Sequence, residues 1–176
     1  LTMSTTTSTI GNNWTATAAA TIDMDSTTTT VGQGAMLQAG TSLSVDSTTG
    51  ALTFGVEAQA KSGTTMSLVA TSGALSVGDD ALLNATTSLS LTTASGAMSL
   101  GDTGTLKAGS GNLDLTTASG SLTIGDSLTA TSGGNTGVAV QSGAVTIGST
   151  CSWTASGDTS FTLGSGNLVV GNRWTL

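Results

Sequence analysis

The chain has 176 residues, ten acids against three bases and a net charge of −7, with Ser, Thr, Gly and Ala as its main vocabulary. So few bases exclude the cationic patch that neutralises nucleic-acid phosphates, and they exclude attraction to an anionic membrane surface. The lack of His removes His-based general bases and triads, and no apolar run approaches the ~18 residues of a membrane span.

An apolar residue followed directly by Gly recurs along the chain. It stands at Ile10-Gly11, Val31-Gly32, Phe54-Gly55, Val77-Gly78, Leu100-Gly101, Ile124-Gly125, Ile147-Gly148 and Val170-Gly171, at steps of 21, 23, 23, 23, 24, 23 and 23 residues. Before six of these markers, a second apolar residue sits two positions upstream, for example Leu52, Leu75 and Met98. That alternation predicts a strand with one face in and one face out.

Upstream lies another alternating pair, read as Leu1/Met3, Ile22/Met24, Leu43/Val45, Met66/Leu68, Leu89/Leu91, Leu113/Leu115, Val138/Val140 and Phe161/Leu163. A third pair precedes it: Trp14/Ala16, Leu37/Ala39, Ala58/Ala60, Leu83/Ala85, Leu106/Ala108, Leu128/Ala130 and Trp153/Ala155, with Trp174/Leu176 opening one more. This alignment puts Trp14, Trp153 and Trp174 at one inward position, as core fill or as lids. Gly50, Gly73, Gly96, Gly120, Gly143 and Gly166 fall at one corner, where a positive φ is expected.

Identical words return after a whole period rather than after each strand, so equivalent residues stack above one another. The expected fold is all-β: a parallel β-helix (β-solenoid) with three short strands per ~23-residue coil and about seven to eight coils, ~4.8 Å apart, forming one continuous domain over 1–176. On this alignment the corner before the marker strand holds seven residues in the middle coils, as from Leu91 to Met98. It holds five at both ends, as from Met24 to Thr29 and Val140 to Val145. Thr131–Gly137 then becomes the longest and most mobile loop. The pattern enters at Leu1 and stops at Leu176 part-way through a coil, which reads as an excerpt of a longer array or as ends that stack on neighbours.

The three-strand coils, the Gly-closed strand and the Ser/Thr/Gly/Ala vocabulary resemble the parallel β-helix stalks of filamentous haemagglutinin-like and autotransporter adhesins. The resemblance covers the whole chain and is one of pattern. It implies a right-handed helix at the cell surface, extracellular, used for reach, adhesion or fibre formation. The partners expected are copies of the chain, by self-association end to end, or else continuation of the same chain, and a host or surface glycan or protein. The chain departs from these families in being poor in Asn.

Candidate sites are few. Asp79, Asp102 and Asp126 follow the marker Gly in consecutive coils, so they stack, and Ca²⁺ would relieve their repulsion. The alternative is a solvated corner with Lys61 and Lys107 nearby. The triplets beginning at Asn13 and Asn84 fit the N-glycosylation pattern. Cys151 is the single Cys, free for an intermolecular disulfide. Asp23 and Asp25 share the outer face of one strand without basic or aromatic company, so no enzyme activity is expected. The function expected is a non-enzymatic structural or adhesive segment. Alternatives are an ice-binding solenoid with a Thr face, which Ala51, Ala74, Ala97 and Ala144 interrupt, and a carbohydrate-binding β-helix.

Overall fold

The computed structural model describes residues 1–176 and consists of strands and turns. The chain is a parallel β-solenoid of about seven coils with three sides each. A 7-stranded parallel sheet forms the first side, from Thr15–Ala18 to Ser152–Ala155. A 14-stranded sheet carries the second and third sides. They belong to one sheet because Thr2–Ile10 and Ile22–Val31 run through both sides as single strands. From Leu43–Ser47 and Leu52–Phe54 onward a bend separates the two.

Period-two alternation does what it should. Leu89 and Leu91 on the second side, and Met98 and Leu100 on the third, point into one buried column of 38 apolar residues. Their partners Ser90 and Ser99 face out. Each fully buried aliphatic contributes about 1.5–3 kcal/mol, and the inter-coil backbone bonds satisfy the polar groups that burial would otherwise strand.

The observed register corrects the sequence alignment in two places. On the second side Leu113 pairs with Thr136, Leu115 with Val138 and Thr117 with Val140. Val138 and Val140 are therefore one step further along than the expected equivalents of Leu113 and Leu115. Thr136, buried at 1%, takes the first inward position. Its hydroxyl is 2.9 Å from that of Ser132, which supplies the polar partner a buried Thr needs. The distance from Val138 to Val145 is then seven residues, the same as from Leu91 to Met98. Only the first two coils have the five-residue spacing. The supposed long loop Thr131–Gly137 shrinks to Gly133–Asn135, between strands Thr129–Ser132 and Thr136–Ser142.

On the first side Ala16 pairs with Leu37, Leu37 with Ala60, Ala60 with Leu83, Leu106 with Ala130 and Ala130 with Trp153. Trp14 and Leu128 thus stand one inward position earlier than Trp153, and the three Trp do not share a place. Counting from the marker Gly recovers this register: one inward column lies three residues on, the next five. The two columns compensate in volume. Small Ala35, Ala81 and Gly104 accompany Leu37, Leu83 and Leu106, whereas Leu128 accompanies Ala130 and Cys151 accompanies Trp153. Close packing favours such complementarity, and the coil after Gly55 departs from it, with Ala58 and Ala60 small at both positions.

The corner glycines divide by cause. Gly120, Gly143 and Gly166 have φ of 133°, 140° and 126°, as expected, but Gly50, Gly73 and Gly96 do not have positive φ. Their requirement is space: a Cβ on Gly73 would overlap the carbonyl of Gly50, and one on Gly96 that of Gly73. The marker glycines are also positions of close approach. At Gly78 a Cβ would lie 2.7 Å from the carbonyl carbon of Gly55 and from the nitrogen of Val56.

Candidate functional site

Two residues after each marker Gly the chain turns on a residue in the left-handed region. Asn13, Glu57, Asp80, Thr103, Ser127, Thr150 and Arg173 have φ between 55° and 60°, and Gly34 fills the same place at 62°. For a side chain this costs roughly 1–2 kcal/mol. The stack holds it there: the amide of Thr103 donates to the carbonyl of Asp126 at 2.8 Å, and that of Thr150 to Asn172 at 2.8 Å. Sequence reasoning missed this column, although Gly34, Asn13 and Asp80 at a fixed distance from the marker were its signal.

One residue earlier stand Asp79, Asp102 and Asp126, exposed and stacked as expected. Each carboxylate accepts a backbone bond from the next coil. Asp79 Oδ1 receives the amide of Asp102 at 2.9 Å, Asp102 Oδ1 that of Asp126 at 2.7 Å, and Asp126 Oδ1 that of Ser149 at 2.6 Å. Asn12 does the same for Gln33 at 3.0 Å. At the next corner Asn112 caps Asn135 and Asn135 caps Asp158, at 3.0 and 2.9 Å. Amide and carboxylate serve alike, so the shared property is an acceptor oxygen one coil below an amide. No three acidic side chains gather closely enough to hold a metal ion. Lys61 and Lys107 lie on the outer face of the first side, in line with Gln38 and Asn84, and not at this corner.

A second acidic group lies near the start. Asp25 pairs in register with Asp46, and Asp23 with Ser44. Burial lifts the Asp46 carboxyl above its ordinary value, Asp25 and Asp23 push it the same way, and a bond from Ser44 opposes them. Beside it runs a groove of about 390 Å³ lined by Ser4, Thr5, Thr6, Asp25, Ser26, Thr27 and Thr48. It lies where the first two coils, two residues shorter at this corner, meet the first coil with the full bend. Every lining side chain is a hydroxyl except Asp25.

Asn13 is exposed at the left-handed turn, while Asn84 is half-buried on a strand between Lys61 and Lys107. Cys151 is 1% exposed, and its thiol donates to the carbonyl of Gly125 at 3.2 Å. Burial pushes the thiol pKa up. It stands in the same inward column as Leu128 and Trp174 and is not presented to another chain. Trp14 is 68% exposed. Trp153, Phe161 and Trp174 form an edge-to-face cluster over the last coil, with centroids 5.2–6.4 Å apart. Thr9, Thr30, Thr53, Ser76, Ser99, Thr123 and Thr146 form a single outward hydroxyl file on the third side.

Comparison with protein-family models, with curated proteins and with solved structures finds no match.

Proposed function

We propose that the chain is a structural segment of an extracellular or cell-surface filament: a non-enzymatic rod that sets distance and presents its corners to partners. The observation that supports this reading is the unbroken register of three parallel ladders from Thr2 to Val170. Bending such a rod requires parting backbone hydrogen bonds in whole coils, so the fold converts a short period into stiffness. The pattern-level likeness to filamentous haemagglutinin-like and autotransporter adhesins agrees with it. Antibody against the chain should label intact cells of the source organism, and beads coated with the chain should bind host or surface glycans or proteins if the rod is adhesive. Labelling only after permeabilisation would overturn the surface assignment.

The groove at Asp25 favours one further reading. Hydroxyls beside a carboxylate offer donors and acceptors suited to a sugar, so carbohydrate binding there is proposed as the second function. A glycan array on which Asp25→Ala binds like the unaltered chain would remove it.

A further inference from the structure

We propose that the groove beside Asp25 takes a cationic amino sugar, with its ammonium against that carboxylate and its ring hydroxyls against the hydroxyls around it. The inference rests on the carbohydrate reading of the same groove and names the class of sugar. The groove is made by a step inside the chain. Its corner runs five residues from Met24 to Thr29 and seven from Val45 to Leu52, so Thr48 of the longer bend forms a wall over the shorter one. Three bonds to one carbonyl fix that bend. The carbonyl of Thr27 accepts the amide of Gly50 at 2.7 Å, the hydroxyl of Ser47 at 2.9 Å and the amide of Thr49 at 3.3 Å. The groove is therefore preformed, and its wall need not be ordered on binding.

Some of the lining hydroxyls belong to the fold. Ser26 is buried and lies 2.6 Å from the hydroxyl of Thr29, and Thr48 donates to the carbonyl of Ser26 at 3.4 Å. The carboxylate of exposed Asp25 and the hydroxyl of half-buried Thr27 make no hydrogen bond within the chain and are left for a ligand. At about 390 Å³ the groove is near the small end of ligand clefts, ~300–1,000 Å³, which suits a short saccharide.

Charge then chooses among saccharides. Asp25 and Asp46 have Cα atoms ~4.8 Å apart, and Asp23 lies two residues before Asp25 on the same outer face. No Lys or Arg lines the groove. Three carboxylates without a counter-charge repel uronic, sialic and sulfated sugars. Their crowding tells on Asp46, whose carboxyl is lifted by burial and then by Asp25 and Asp23. A neutral sugar gains little, because the lining has no apolar or aromatic side chain to pack on, and its hydroxyls exchange one neutral hydrogen bond for another with water. An ammonium on Asp25 makes charge-assisted bonds, about twice as strong. An amine without hydroxyls leaves Thr27 unused.

Isothermal titration calorimetry of the 176-residue chain tests this in a mildly acidic buffer, where sugar amines are protonated. The probes are the glucosamine disaccharide, its diacetylated form, a glucuronic acid disaccharide and 1,4-diaminobutane. The glucosamine disaccharide should bind at least about tenfold tighter than the others, the factor between a charge-assisted and a neutral hydrogen bond. Asp25→Asn keeps the shape and should abolish that preference. Thr27→Val should weaken the glucosamine disaccharide and leave the diamine unaffected, while Asp114→Asn, further along the same outer face, should change neither. Circular dichroism should be unaltered in all three variants. If the diacetylated form binds as tightly and Asp25→Ala abolishes it, the amino-sugar assignment is overturned and the carbohydrate reading stands. Equal binding of the diamine, preference for the glucuronic acid disaccharide, or an Asp25→Asn variant that binds like the unaltered chain would each overturn the assignment. A chain that binds no saccharide removes both readings.

Discussion

The hydroxyls of Thr93 and Thr117 are buried, lie in adjacent coils of one column, and have no hydrogen-bond partner. Replacing either with Val keeps the shape and removes the orphan. An unpaired buried hydroxyl carries a desolvation penalty of about 1–3 kcal/mol, so each change should stabilise by roughly 1 kcal/mol or more. For a chain of this size that is a rise in melting temperature of about 2–4 °C per kcal/mol. The column itself supports the direction: Val140 pairs with Thr117, and Ala70 with Thr93, so apolar side chains already occupy the position. Ser47, two coils before Thr93, is the control. Its hydroxyl lies 2.9 Å from the carbonyl of Thr27, 3.1 Å from that of Gly50 and 3.2 Å from that of Ala51. Ser47→Ala should therefore cost about 1 kcal/mol. Urea denaturation and thermal melts followed by circular dichroism measure both. Loss of stability in Thr93→Val and Thr117→Val would refute the reasoning, because the hydroxyls would then be satisfied.

Asp46→Asn should raise the melting temperature at neutral pH. The folded-state pKa is raised by burial and by Asp25, so protonation favours the fold. That contribution is fully present below the ordinary value of 3.8 and is lost as pH rises through the folded pKa. The advantage of Asn over Asp should accordingly vanish in acid, and an advantage independent of pH would count against the assignment. At the corner, Asp102→Asn keeps the acceptor for the amide of Asp126 and should be nearly silent, whereas Asp102→Ala should lose about 1 kcal/mol. Equal losses in the two melts would mean that the charge matters. Leu91→Asp should unfold neighbouring coils by burying an unpaired carboxylate, while Ser90→Thr on the outer face should leave the melt unchanged. Equal tolerance of both would reverse the inward and outward faces.

The period, the three sides and the parallel stacking were legible because the Gly marker recurs with so little drift. The register was less legible where inward positions hold small or polar residues. Thr136 looks like an outward residue, and Ala16 like a second member of its pair, until the count is made from the marker. Burial of Thr136 becomes intelligible only through the hydroxyl of Ser132, a contact made across a corner. The corner itself was half legible. Stacking of Asp79, Asp102 and Asp126 followed from the period, but their role as acceptors depends on amides brought within 3 Å by the coil above. The left-handed turn was hidden because Thr103 and Thr150 are residue types that rarely adopt it, and inter-coil bonds override that preference. The groove beside Asp25 arises from a two-residue difference between coils, which a search for what recurs passes over.

Paired cysteines on the outer face of the second side test the observed register most directly. Asp114 and Gly137 are in-register partners. Cysteines there, in a Cys151→Ala background, would have Cα atoms ~4.8 Å apart, within the span of a disulfide. The pair Asp114→Cys with Ala139→Cys would be separated by about 8 Å, two residues out of register and beyond that span. Rapid intramolecular oxidation of the first pair and none of the second is expected, read by mass spectrometry of the peptides. Bridging of the second pair in place of the first would contradict the register.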